Sequence, residues 1–76
     1  MTALSDAIAF LEAGDWDAAH GVAQDDPSSL GSWAHGIVHL MEGDLANAGY
    51  WYRRAGRQLP DSADIAEEIA TLKKSV

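Results

Sequence analysis

Three side chains on one predicted helix, His35, His39 and Glu42, are spaced four and three residues apart. That spacing places them within about 60° of arc on one helical face. Two imidazoles and a carboxylate so placed can converge on one ion, and the donor set suits zinc or another divalent first-row metal. His20, on the preceding helix, supplies a third nitrogen if the two helices lie side by side. The same residues admit a plainer reading. A central helix is covered on most sides, so its histidines would fill space between helices and bond to Glu42, Asp44 or backbone carbonyls. The chain has no cysteine and no strict metal motif, which favours the structural reading. No cofactor is expected apart from that one divalent ion.

A second constellation follows on the next predicted helix: Tyr50, Arg53, Arg54 and Arg57. An exposed tyrosine–arginine stripe has the composition of a protein-interface hot spot. It is also what a solvated face looks like when its arginines pair loosely with carboxylates, and such surface pairs are commonplace and contribute little. Residues 1–52 carry eight acidic side chains and no lysine or arginine; all five basic residues come later. With a net charge of −7, three arginines on one helix are too few to attract polyphosphate, so nucleic acid is not an expected partner. Catalysis is weakly supported, and no catalytic residue is assigned. None of the serines sits in a nucleophile elbow, no glycine-rich phosphate loop occurs, and no nucleophile or oxyanion hole accompanies the histidines.

The elements that must position these groups are all helical. At 76 residues, 47% hydrophobic and 22% charged, the chain reads as one folded domain. So small a domain buries only about 60% of its unfolded surface, so pairing with a second copy or a partner would help it. The start of the chain has no basic residue and no long apolar run, so no signal peptide and no membrane span are expected. The expected location is the cytoplasm.

Leu4, Ile8 and Leu11 step at helical spacing along a first helix that Gly14 closes; Asp15 caps a second helix, whose dry side is Trp16, Ala19 and Ala23. Asp25-Asp26-Pro27-Ser28 is turn chemistry, after which Ser28, Ser29 or Ser32 can cap a third helix ending at Glu42 before Gly43. On that helix Trp33, Ala34, Ile37, Val38, Leu40 and Met41 share an apolar arc, with His35, His39 and Glu42 opposite. Asp44 caps a fourth helix running from Leu45 to Leu59, where Pro60 stops it. Its dry side is read as Leu45, Ala48, Trp51, Tyr52, Ala55 and Leu59. Gly49 and Gly56, seven apart, suggest close approach of another helix or copy. A fifth helix begins at Asp61 or Ser62 and carries Ile65, Ile69 and Leu72, with Lys73 and Lys74 in its last turn.

Shifted by 29 residues, Ile8, Leu11, Gly14, Asp15 and Ala19 fall on Ile37, Leu40, Gly43, Asp44 and Ala48. A repeat of that kind marks two copies of one helical unit. The second unit, with its Gly43-Asp44 hinge followed by Ala48, Tyr52, Ala55 and Pro60, resembles a tetratricopeptide repeat. That resemblance implies a stack of antiparallel hairpins used to present surface to other proteins. The set Asp15-Trp16, Ala19-His20, Trp33, His35, His39, Glu42-Gly43-Asp44, Asn47-Ala48, Tyr50-Trp51-Tyr52 and Arg54-Ala55-Gly56 is also similar to a group of short uncharacterised bacterial proteins, which carries no assigned activity. The expectation is therefore an all-α domain spanning residues 1–76. Hairpin one covers about 3–26, hairpin two about 29–60, and a capping helix about 62–74. Its expected role is a non-catalytic protein-interaction module, binding a protein partner or a second copy. The alternative is a metal- or ligand-binding protein using His35, His39, Glu42 and His20.

Overall fold

The computed structural model describes residues 3–60 and 64–76 and is all-helical over its regular elements. Five helices follow in order: α1 Ala3–Glu12, α2 Trp16–Ala23, α3 Ser29–Glu42, α4 Leu45–Arg54 and α5 Ile65–Ser75. Short side chains start the last four of them. Asp15 accepts from the Ala18 N–H at 3.2 Å, Ser28 from Gly31 at 3.0 Å, Asp44 from Asn47 at 3.2 Å and Asp64 from Glu67 at 3.0 Å. Each cap satisfies a donor that the first turn leaves without an intrahelical acceptor.

The repeated Gly-Asp pair is a genuine hinge. Gly43 stands at φ 78° and its N–H bonds the Leu40 carbonyl, while the Asp44 N–H reaches back to the His39 carbonyl at 2.9 Å. Gly14 and Asp15 make the same two bonds one unit earlier, to Leu11 and Phe10. One aspartate thus finishes one helix and caps the next, which folds α2 back on α1 and α4 back on α3.

Helix α3 is the hub: it packs against α1, α2, α4 and α5. Every residue from Gly31 to Val38 is buried. Its apolar arc of Trp33, Ala34, Ile37, Val38 and Leu40 meets Leu4, Ile8 and Leu11 of α1, Ala19 and Ala23 of α2, Ala48 and Tyr52 of α4, and Ile69 and Leu72 of α5. At Gly36 a methyl group would stand 2.5 Å from the Tyr52 ring. The bare backbone there lets α4 seat its tyrosine against α3.

Helix α5 lies with its backbone against α3 and α1, and reaches α4 through the Glu68 side chain. It covers the first helices of both hairpins and does not extend the row past α4. Two links hold it there. Glu68 Oε1 accepts from the Tyr52 hydroxyl at 2.7 Å and from the Trp33 indole N–H at 3.2 Å, and Lys73 bonds Glu12 at 3.1 Å.

Several local expectations need correction. Helix α4 ends at Arg54, not Leu59, because Gly56 takes φ 74° and the Arg57 N–H turns back to the Tyr52 carbonyl. Glycine enters the left-handed region without the Cβ penalty, so it stops the helix four residues before proline does. Gly56 therefore lies outside the helix, and at Gly49 an added methyl would meet only Leu59, at 3.9 Å. These two glycines mark no close helix approach. Trp16 is 40% exposed and Leu45 61% exposed. Both open their helices, where a side chain projects past the neighbour it was expected to cover. Asp61 and Ser62, the expected start of the last helix, lie outside the described residues; the described start is Ile65, capped by Asp64.

Candidate metal centre

Helices α2 and α3 bring His20, His35 and His39 together. One nitrogen from each lies within 4.8 Å of the others. His35 and His39 are one turn apart on α3 with nearly parallel rings, centroids 5.0 Å apart, and His20 enters edge-on from α2, 4.5 Å from His35 and 5.7 Å from His39. A tetrahedral ion with metal–nitrogen bonds of about 2.0–2.1 Å holds its nitrogens roughly 3.3 Å apart. Nitrogens as far apart as 4.8 Å would have to draw closer to share one such ion.

His35 is the innermost, 5% exposed. Its Nδ1 is fully buried and no group among the described residues bonds it. A buried polar atom left in that state is costly unless something engages it. Burial first, and then the neighbouring His20 and His39, push its pKa down from 6.5 to about 4. At neutral pH the ring is uncharged and offers a lone pair. A face expected to lie away from the core is thus covered, because α2 and α4 flank α3 there.

Glu42, expected to join the histidines, sets its carboxylate against one of them. Its Oε1 lies 2.9 Å from His39 Nδ1, off the line of a ring N–H, so the contact is electrostatic and not an aligned hydrogen bond. A carboxylate only accepts, so this contact favours the tautomer with the proton on Nδ1 and the lone pair on Nε2. A carboxylate that orients a ligating histidine is a common outer-sphere device. Asp44 is held below the usual carboxylate range, mainly by hydrogen bonds from the Asn47 side chain and backbone.

Trp51 completes the site. Its indole stacks on His35 at 3.8 Å and 11°, half-buried where it was expected within the core. On its other side Arg54 sets its guanidinium 5.1 Å from the same ring and donates to the Tyr50 hydroxyl at 3.2 Å. Tyr50 is 44% exposed and meets Trp51 edge-on. Of the expected tyrosine–arginine stripe, Tyr50 and Arg54 are together. Arg53 is exposed, and Arg57, beyond the end of α4, lies 3.6 Å over the Trp33 ring. The role of Trp51 was not legible from spacing, since it depends on how α4 rolls against α3. Burial, followed by the hydrogen bond and charge of Glu68, raises the Tyr52 hydroxyl far above its ordinary value, so it remains a donor.

Comparison with protein-family models, curated proteins and solved structures returns no match for this chain. Among the described residues no helix is long and apolar enough to cross a membrane.

Proposed function

We propose that this chain is a small helical metal-binding protein whose His20, His35 and His39 take one divalent first-row ion. The observation that carries this reading is the convergence of one nitrogen from each of three imidazoles on two helices, in a cluster where the buried His35 Nδ1 has no partner among the described residues. Histidines that served packing alone would have their polar atoms bonded to carbonyls or carboxylates. Neutral imidazoles suit zinc, nickel, copper or ferrous iron and suit magnesium or calcium poorly. The test is elemental analysis of untagged protein purified without chelator, with calorimetric titration of zinc and nickel into the apo protein. About one equivalent per chain is the expected result for a single three-nitrogen site. A metal-free protein that takes up neither ion overturns the reading. His35→Gln with His39→Gln abolishes uptake and leaves the helical signal in place.

A second reading rests on a different observation. Tyr50, Trp51 and Arg54 form an outward surface whose rings and guanidinium already hold one another, and prearranged aromatic–arginine groups are the usual anchors of protein interfaces. The resemblance to tetratricopeptide repeats supports the same role, with a second copy as the occupant. The acidic first two-thirds of the chain complement the arginines that follow. Sedimentation over a range of concentrations tests this. Association weakened by salt and by Tyr50→Ala/Arg54→Ala supports it, and a monomer throughout removes it.

A further inference from the structure

The number and charge of the donors carry a consequence for what the site can bind. Three imidazoles neutralise none of a dication's charge, and zinc-like ions complete at least four coordination positions. The carboxylates beside the cluster are already engaged. Glu42 faces His39 Nδ1 at 2.9 Å. Asp44 takes the Asn47 backbone N–H on Oδ1 at 3.2 Å and the Asn47 amide on Oδ2 at 2.7 Å. Trp51 covers the His35 ring. His20 and His39 are only part-buried, so solvent touches part of these two rings, although His39 Nδ1 itself is buried. A closed structural site and an open one differ in this respect: the closed site has four protein donors and the open one keeps a position for an outside molecule.

Resting on the metal reading above, we propose that the His20–His35–His39 centre is an open three-nitrogen site that binds a small anion directly on the metal. The class of ligand is a compact monoanion with a nitrogen or oxygen donor, such as azide or a short carboxylate. It displaces bound water and leaves the three histidines in place. Charge on the metal favours it, since three neutral imidazoles leave the ion both of its positive charges.

Cobalt(II) is the probe, because its visible bands report coordination number and ligand exchange. Apo protein is loaded with cobalt and titrated with sodium azide, and then with sodium acetate, at constant ionic strength. A shift of the bands that saturates along a single-site curve in wild type, and also in Glu42→Gln once cobalt is saturating, supports the inference. If cobalt binds and the spectrum ignores both anions, the site is closed and the inference fails while the metal reading stands. Azide sensitivity gained only in Glu42→Gln also overturns it, since Glu42 would then be the fourth ligand. Absence of any protein-bound cobalt spectrum removes the metal reading and this inference together. The wild-type titration decides the matter even if the variant fails to fold.

Discussion

Glu42 and His35 share one face of α3 yet meet different surroundings, one exposed and one buried. Glu42 shares a helical face with His39, yet one turn of reach puts its carboxylate on His39 Nδ1 and not among the three converging nitrogens. Its removal should leave all three donors in place while freeing the His39 ring to turn. Glu42→Gln is therefore expected to lower zinc affinity by about 10–100-fold with unchanged stoichiometry, as read by competition with a chromophoric chelator. His35 makes the apo protein acid-sensitive. Its folded pKa, about 4, lies below the ordinary 6.5, so the unfolded chain takes the proton first. The stability conferred by a neutral His35 is present above pH 6.5 and is lost progressively as pH falls toward 4. Urea titrations of chelator-treated protein across that window should show the midpoint falling, with His20 and His39 facing the same ring. In His35→Gln the slope should flatten.

At the level of elements, the two glycines near the end of the fourth helix should respond in opposite directions. Gly49 lies inside α4, where an added methyl would make only ordinary contact with Leu59 at 3.9 Å, and Gly49→Ala should stabilise the protein by about 0.4–1 kcal/mol. Gly56 stands at φ 74° as the residue that ends α4, so Gly56→Ala should destabilise by roughly 1–2 kcal/mol. In a domain of this length each kcal/mol moves Tm by about 4–8 °C, so thermal melts followed by circular dichroism resolve both signs. Equal effects at the two positions would mean that α4 runs on to Leu59 after all. The same logic explains the Gly-Asp hinges. They work because a left-handed glycine and a capping aspartate can share one tight connection, which leaves the following helix antiparallel to the one before it.

Across the whole molecule, two polar knots tie the helices together in addition to their loops. Glu68 ties α5 to Trp33 of α3 and Tyr52 of α4, and the histidines bridge α2 and α3. Glu68→Ala leaves an indole N–H and a tyrosine hydroxyl without their acceptor and should cost roughly 1–3 kcal/mol, seen as a lower urea midpoint with early loss of tryptophan tertiary signal. The histidine knot acts in the other direction. An ion that binds only the folded chain should raise stability by about 2.7 kcal/mol at a hundredfold excess over Kd. A zinc-dependent rise in Tm that vanishes in His20→Gln would place the ion between the hairpins. A rise that survives would remove His20 from the site.

The helices and their hinges were legible in the sequence because they depend on neighbours within a few residues. Helical spacing of Leu4, Ile8 and Leu11, the repeated Gly-Asp pair and the capping serine and aspartates are all local signals. Where two local signals competed, as with Gly56 and Pro60, the nearer glycine ended the helix. The candidate site was half legible. The i, i+4 histidines could be placed on one face, but whether His20 would meet them depended on the roll and offset of α2 against α3. Tertiary packing alone decided three things: that the histidine face of α3 is covered, that Trp51 lies on His35, and that α5 sits on α1 and α3 with Glu68 reaching Tyr52. Each is a contact between side chains on different helices. Such contacts are set by which surfaces bury best in the folded chain, a competition that residue spacing along one helix does not express.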